Sequence, residues 1–406
     1  MTLSLGAILA QGAGLASVVV LPRLFSDESI GSLGVLVSTL TILAVAINGG
    51  LELAVMLPDE EEGARALTWT SIGIAGVLTA LTGLIGWWVS PLLSQWLGPS
   101  AYVSLVWLPL SLLLEGLSQP LRTWLNRHQA YRLLSLSRGA RSVVTLLVSL
   151  GTGWAGWGTA GLVLGWVTGQ VAALLPLLAG TTGLAQPPSR AAAWQWVKRY
   201  GDFPRYAVVS SWLNTLARFL PVYVLLPAFG AGLTGQFVQA DRILSLPAAL
   251  VGMAVGGVFY EKARHAWAHA PETLETLTRQ TARQLTWLGL GPLVALVVAG
   301  PQLFAWVLGP GWTEAGTFAQ VLAPWFYLVF IASPLSYLID VRRQLPAFLW
   351  FNLVQLLLRA AALWAGTGSG DALVAVALFS LAGVGVSGAQ LVWTLRLGKA
   401  PLPDAQ

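Results

Sequence analysis

Apolar residues run along this chain in twelve stretches of about 18 to 28 residues, divided by short polar breaks that hold most of its charges. A bilayer core about 30 Å thick takes roughly 20 helical residues to cross. Lipid offers no partner to an unpaired backbone N–H or C=O, so each stretch reads as one membrane-spanning helix. The spans fall at approximately 3 to 25, 31 to 57, 67 to 90, 101 to 122, 133 to 152, 156 to 178, 203 to 229, 233 to 260, 284 to 308, 315 to 339, 345 to 366 and 371 to 397. Pro58 and the acidic run Asp59 to Glu62 close span 2, while Gly98-Pro99 and Gly309-Pro310 break the chain before spans 4 and 10. The predicted fold class is all-α, a polytopic membrane protein of twelve transmembrane helices.

The punctuation of the first half returns in the second. Leu21-Pro22 recurs as Leu226-Pro227, Leu97-Gly98-Pro99 as Leu308-Gly309-Pro310, Pro120-Leu121 as Pro334-Leu335, and Gln129 as Gln344. Six spans per half is an even number, so both halves enter the membrane the same way. This is a parallel repeat about the membrane normal, an architecture whose substrate site lies between the lobes. The expected division is an N-terminal six-helix lobe over 1–179, a cytoplasmic linker over 180–202 and a C-terminal six-helix lobe over 203–400. The linker's Trp194, Trp196, Lys198 and Arg199 suit a short amphipathic helix on the cytoplasmic surface. Gly161, Gly165 and Gly169 in span 6, and Gly252 and Gly256 in span 8, have the small-residue spacing that lets helix backbones approach closely.

Composition agrees: 56% of residues are hydrophobic and 10% charged, with mean hydropathy +0.71, against about 25% charged residues in a soluble domain. Zero cysteines exclude disulfides, a thiol nucleophile and cysteine-bound metal. The first run has no basic segment before it and reads as a span rather than a cleaved signal. A pI near 9.7 raises the question of nucleic acid, but the arginines are spread through loops and no such partner is expected. With both termini in the cytoplasm, only four of the 22 basic residues fall outside the inner segments: Arg23, Arg218, Arg242 and Arg359. That positive-inside bias sets the orientation. Trp69, Trp87, Trp88, Trp96, Trp124, Trp154, Trp157 and Trp312 lie near span ends and read as interfacial anchors.

Charges at bilayer depth are costly and face a partner or a wet cavity. Arg218 in span 7 and Arg242 in span 8 lie roughly 14 to 16 Å below the outer surface, at one level on consecutive helices. Together they make a candidate anion site; the alternative for Arg242 is a pair with a carboxylate such as Asp241. Arg359 in span 11 either joins that site or snorkels to the nearer surface. Glu52 and Glu115, in the inner halves of spans 2 and 4, are candidates for carrying a coupling proton or cation; the alternative is pairing with a loop arginine such as Arg127. No catalytic, cofactor-binding or metal-ligating set emerges. Asp59 to Glu62 read as a solvated loop, Glu261, His265 and His269 lack a supporting metal-site pattern, and there is no phosphate-binding G-x-x-x-x-G-K-[ST] loop.

Five segments resemble the polysaccharide biosynthesis protein family, the O-antigen and exopolysaccharide flippases of the MOP superfamily. They are LPRLFSDESIG (Leu21 to Gly31), LELAVMLPDEEEGA (Leu51 to Ala64), TWLNRHQAYRLLSLSR (Thr123 to Arg138), ADRILSLPAALVGMAVGGVFYEKA (Ala240 to Ala263) and PLSYLIDVRRQ (Pro334 to Gln344). Family members often carry an arginine shortly before the span 2 glutamate, where this chain has Gly49, Gly50 and Leu51. The resemblance implies a non-enzymatic flippase in a bacterial cytoplasmic membrane, moving an undecaprenyl-pyrophosphate-linked oligosaccharide from inner to outer leaflet by ion-coupled alternating access. A polysaccharide polymerase or glycosyltransferases are the implied protein partners. Arginine suits the forked hydrogen bonding of pyrophosphate. The alternative is a cation-coupled drug exporter of the same superfamily, which favours acidic residues at the cavity centre. A lipid II flippase is expected to have fourteen spans, and a membrane polymerase needs larger loops.

The orientation is testable because no native cysteine has to be removed. Ser100→Cys and Gly232→Cys are expected to react with an impermeant thiol reagent in intact cells, and Glu61→Cys and Gln186→Cys to stay unlabelled; the reverse pattern inverts the topology.

Overall fold

The computed structural model describes residues 2–200, 208–342 and 344–399, and every regular element among them is a helix. The expected first residues of span 7, the end of the linker, Arg205, Arg343 and residue 400 lie outside the described residues. Contacts group the chain into two compact units, Met1–Gly235 and Gln236–Gln406. The six-plus-six lobe boundaries follow the sequence repeat and stand as a proposal beside this grouping.

The first unit holds α1 (Thr2–Val20), α2 (Asp27–Ala44), α3 (Leu51–Ala54), α4 (Glu61–Trp88), α5 (Ser90–Leu97), α6 (Pro99–Val106), α7 (Leu108–Arg127), α8 (Tyr131–Trp154), α9 (Gly158–Ala179), α10 (Arg190–Arg199) and the start of α11 (Val208–His269). The second holds the rest of α11, then α12 (Thr273–Leu308), α13 (Thr313–Leu335), α14 (Tyr337–Val341), α15 (Leu345–Thr367) and α16 (Ala372–Lys399). Among the described residues nine helices are long and apolar enough to cross a membrane, α11 counting once although Gly230, at φ 84°, kinks it. The full count of twelve rests on the sequence.

Three boundaries differ from the hydropathy reading. Span 2 is two helices, α2 and α3, because the chain unwinds between them. Span 4 starts at Leu108, since Pro99–Val106 forms a separate helix ahead of it. Span 9 begins at Thr273, with polar turns that extend the helix beyond its apolar part. The repeat is visible in the backbone: Gly98 (φ 76°, ψ 163°) and Gly309 (φ 114°, ψ 164°) adopt similar extended turns, each followed by proline at the start of a helix. Both conformations lie where only glycine is comfortable.

The small-residue motifs pack helices. A Cβ on Gly165 would run into the Ser149 hydroxyl, and one on Gly169 into that of Thr145, so α9 lies directly on α8. Gly256 receives the Tyr337 ring in the same manner in the second unit. Most of the expected interfacial tryptophans, including Trp87, Trp88 and Trp154, are exposed. Trp124 and Trp312 are not: at 1% and 4% exposure they are core residues. Trp124 is covered by the turn Thr182–Leu184, whose Leu184 carbonyl accepts a hydrogen bond from Trp69 Nε1 at 3.1 Å. In the linker, α10 packs Trp196 and Val197 on the first unit's core and exposes Trp194, Lys198 and Arg199.

Overpacking a tight helix contact costs about 1–3 kcal/mol. Gly169→Leu is therefore expected to lower the thermal midpoint of the detergent-purified protein by several degrees. Gly86→Leu, at a site with nothing within 4 Å of the added Cβ, is expected to leave it unchanged.

Candidate functional site

Between Ala44 and Leu51 the chain leaves the helix, and the residues that permit this are consecutive: Asn48, Gly49 at φ 64° and Gly50 at φ 71°. Two left-handed residues in a row unwind a helix at little cost only when both are glycine. Asn48 is fully buried, and its Nδ2 donates to the carbonyls of Ser71 on α4 at 3.0 Å and Gly116 on α7 at 2.8 Å. One side chain thus ties the break to both neighbouring helices. Irregular backbone at membrane depth is tolerated where protein buries it or where it lines a cavity.

Here it does both. A cavity of about 360 Å³ opens beside the break, wholly within the first unit. Its walls are Leu40, Thr41 and Ala44 of α2, Val45 of the break, Glu52 and Leu53 of α3, Glu115 and Gln119 of α7, Arg141 of α8, Trp166 of α9, and Val208 and Ser211 of α11. The break turns Glu52 toward this space; the residue is 8% exposed, and its Oε2 accepts no hydrogen bond. Gln119 Nε2 donates to the Ala44 carbonyl at 3.3 Å, which seats the amide at the cavity edge.

Glu115 sits between two guanidiniums, bonded to Arg122 on its own helix and to Arg141 Nη1 at 3.2 Å. The Arg141 guanidinium also lies over the Trp166 ring, 5.0 Å from its centroid. The expected partner Arg127 is engaged elsewhere, donating to the carbonyls of Val55 and Asp59 at 3.3 Å each, with Glu61 at 3.9 Å. Nor is Asp59 to Glu62 wholly a solvated loop. Glu61 opens α4 and meets His128 Nε2 at 2.8 Å. With both cavity carboxylates ionised, Glu52, Glu115, Arg122 and Arg141 sum to zero charge; with Glu52 protonated they sum to plus one.

The structure therefore brings two of the sequence candidates, Glu52 and Glu115, into one cavity. Arg218, Arg242 and Arg359 do not line it. Arg218 is exposed on α11 with its guanidinium 5.6 Å from the Phe219 ring centroid, and Arg242 is half-buried beyond the Gly230 kink. Arg359 does not snorkel: at 4% exposure it lies inside the second unit, 4.4 Å from the Trp325 ring centroid and 5.6 Å from that of Phe379.

Arg141, Gln119, Thr41 and Trp166 escaped the sequence reading. The positive-inside reading places Arg141 and Arg138 with the inner segments, yet α8 begins at Tyr131, which puts Arg141 about 15 Å along the helix. Its distance from the helix start was the available signal. Moving both arginines out of the loop lowers the inner count by two and leaves the positive-inside bias intact.

The fold is that of the MOP superfamily transporters. A multidrug resistance MATE family transporter of that superfamily, solved in an inward-facing conformation, superposes with TM-score 0.76 at 14% identity, covering 98% of each chain. Lipid II flippase MurJ in an inward closed conformation gives TM-score 0.77 at 11% identity, covering 97% of this chain and 87% of that one. A MOP superfamily transporter from Pyrococcus furiosus, described as having a binding pocket of reversed polarity, gives 0.65 at 12% identity over 98% and 96%. No curated protein matches the chain by sequence. The profile of the family described as polysaccharide biosynthesis protein matches residues 20–317, and the chain belongs to that family.

The Glu115–Arg141 bridge joins α7 to α8 at a partly buried site, so its contribution is expected to exceed that of a surface pair. A thermal-melt double-mutant cycle with Glu115→Gln and Arg141→Gln is expected to return a coupling of about 1 kcal/mol or more; the same cycle on the exposed pair Glu275–Arg279 is expected to return less.

Proposed function

We propose that this chain is a flippase that moves an undecaprenyl-pyrophosphate-linked oligosaccharide from the inner to the outer leaflet of a bacterial cytoplasmic membrane by ion-coupled alternating access. Membership of the polysaccharide biosynthesis family, in a chain whose spans enclose a charged cavity, carries this reading. A protein of the same fold is a lipid II flippase. The charge balance at the cavity argues against the alternative, export of organic cations. A cluster that is neutral or singly positive does not attract a cation, whereas a free carboxylate pair would.

Arg218 and Arg242 are assigned to the pyrophosphate, since a guanidinium matches phosphate oxygens with two parallel donors. Arg359 is left out of that site because aromatic packing already holds it. Of the two carboxylates, Glu52 is the better coupling group: Glu115 is clamped by two cations, while Glu52 lines the cavity and its buried Oε2 accepts no hydrogen bond. Both termini are assigned to the cytoplasm, and a polysaccharide polymerase or glycosyltransferases would act on either side of the transport step.

Vesicles reconstituted with the protein and a labelled polyprenyl-pyrophosphate glycan test the assignment. Arg218→Ala and Arg242→Ala are expected to reduce flipping at least tenfold with normal protein levels, and the Lys variants to recover part of it, keeping the charge but losing the planar fork. Glu52→Gln is expected to remove the response to an imposed proton gradient. Full flipping by both Ala variants would refute the anion site, and no flipping by the native chain would refute the flippase reading.

A further inference from the structure

We infer that the cavity beside the span 2 break is a subsite for one or two uncharged sugar rings, distinct from the residues assigned to the pyrophosphate. The inference deepens the flippase reading and rests on it for the kind of molecule carried. Four features of the cavity select the ligand. Together with Arg122, which bonds Glu115 but is not itself part of the lining, the lining charges Glu52, Glu115 and Arg141 cancel or leave a single positive charge, so neither a cation nor a multivalent anion is matched. The cavity offers acceptors and donors together: the Glu52 carboxylate, the amide oxygen left over on Gln119, and the guanidinium of Arg141. A sugar hydroxyl both donates and accepts, and so can use such a mixture from one position.

The third feature is the aromatic wall. Trp166 lies against the polar groups, with Arg141 over its ring, so apolar C–H faces and hydroxyl edges of a pyranose would each meet matching surface. The fourth is size. At about 360 Å³ the cavity is near the low end of ligand pockets, which start at about 300 Å³, so it holds a terminal ring or two and not a whole oligosaccharide. The polar groups come from α3, α7 and α8, elements already fixed by the Asn48 hydrogen bonds and the Glu115 bridge. A site whose donors are held in place before binding loses less entropy when the ligand arrives.

The chain's lack of cysteine supplies the experiment. Ser211→Cys places a thiol on the cavity wall, and Gln95→Cys places one on the exposed surface of α5. Labelling of each by a thiol reagent is followed in the detergent-purified full chain, with and without a panel of methyl glycosides of common neutral pyranoses. At least one glycoside is expected to slow labelling of Ser211→Cys several-fold and saturably, with no effect on Gln95→Cys. Adding Gln119→Leu, or Glu52→Leu as a second variant, is expected to remove the protection while the thermal midpoint shows the chain still folded.

Three results would overturn the subsite: no glycoside protects, protection survives both variants, or tetraphenylphosphonium protects where the glycosides do not. Should the glycosides fail while native protein flips the labelled lipid-linked glycan in vesicles, the subsite falls and the flippase reading stands. Protection without flipping has the opposite meaning.

Discussion

Two hydrogen bonds from a single buried amide hold the first unit's functional geometry in place. A helix broken at membrane depth leaves carbonyls and amides with no water to satisfy them, each at a cost of about 1–3 kcal/mol. Gln119 answers part of that demand by donating to the Ala44 carbonyl, and Asn48 anchors the turn by donating to Ser71 and Gly116, carbonyls on two different helices. The direction of α3, the inward facing of Glu52 and one wall of the cavity all follow from the position of that turn. Glycine at 49 and 50 makes the turn sterically available, and the asparagine selects where it docks.

The charged groups around the cavity complement this backbone device. An isolated carboxylate on α7 would be expensive to bury, and an isolated guanidinium on α8 equally so. Bridging Glu115 to Arg122 and Arg141 offsets part of both costs and fastens α7 to α8. The second unit lessens the same cost without a carboxylate: Arg359 rests on Trp325 and Phe379, whose ring faces carry partial negative charge, while its buried Nε has no hydrogen-bond acceptor.

How far the sequence reveals this arrangement depends on which force writes each feature. Lipid imposes apolarity along whole helices, so the spans and the all-helical class are legible from hydropathy alone. Glycines are neither strongly apolar nor polar, so the break at Gly49-Gly50 sits inside span 2 without interrupting its apolar run. Burial of Trp124 and Trp312 is a tertiary fact, and a rule based on distance from a helix end assigns them to the interface. Glu52 and Glu115 stood out because a carboxylate within a span is costly wherever it points. Gln119 and Thr41 carry no charge and stand out nowhere, and Arg141 was hidden by its closeness to a basic loop. The family segments showed the fold's kinship, but the departure they exposed, two glycines ahead of Glu52, is what leads to the cavity.

The balance of charge at Glu52, Glu115, Arg122 and Arg141 has an electrical consequence. While both carboxylates are ionised, the cluster presents no net charge to the voltage across the membrane, and moving it through part of that field does little electrical work. One proton on Glu52 changes this, because the full transmembrane potential acts on a unit charge with about 2.3 kcal/mol per 100 mV. Under the proposed ion coupling, a single proton on Glu52 would change the charge this cluster carries through that field from zero to plus one.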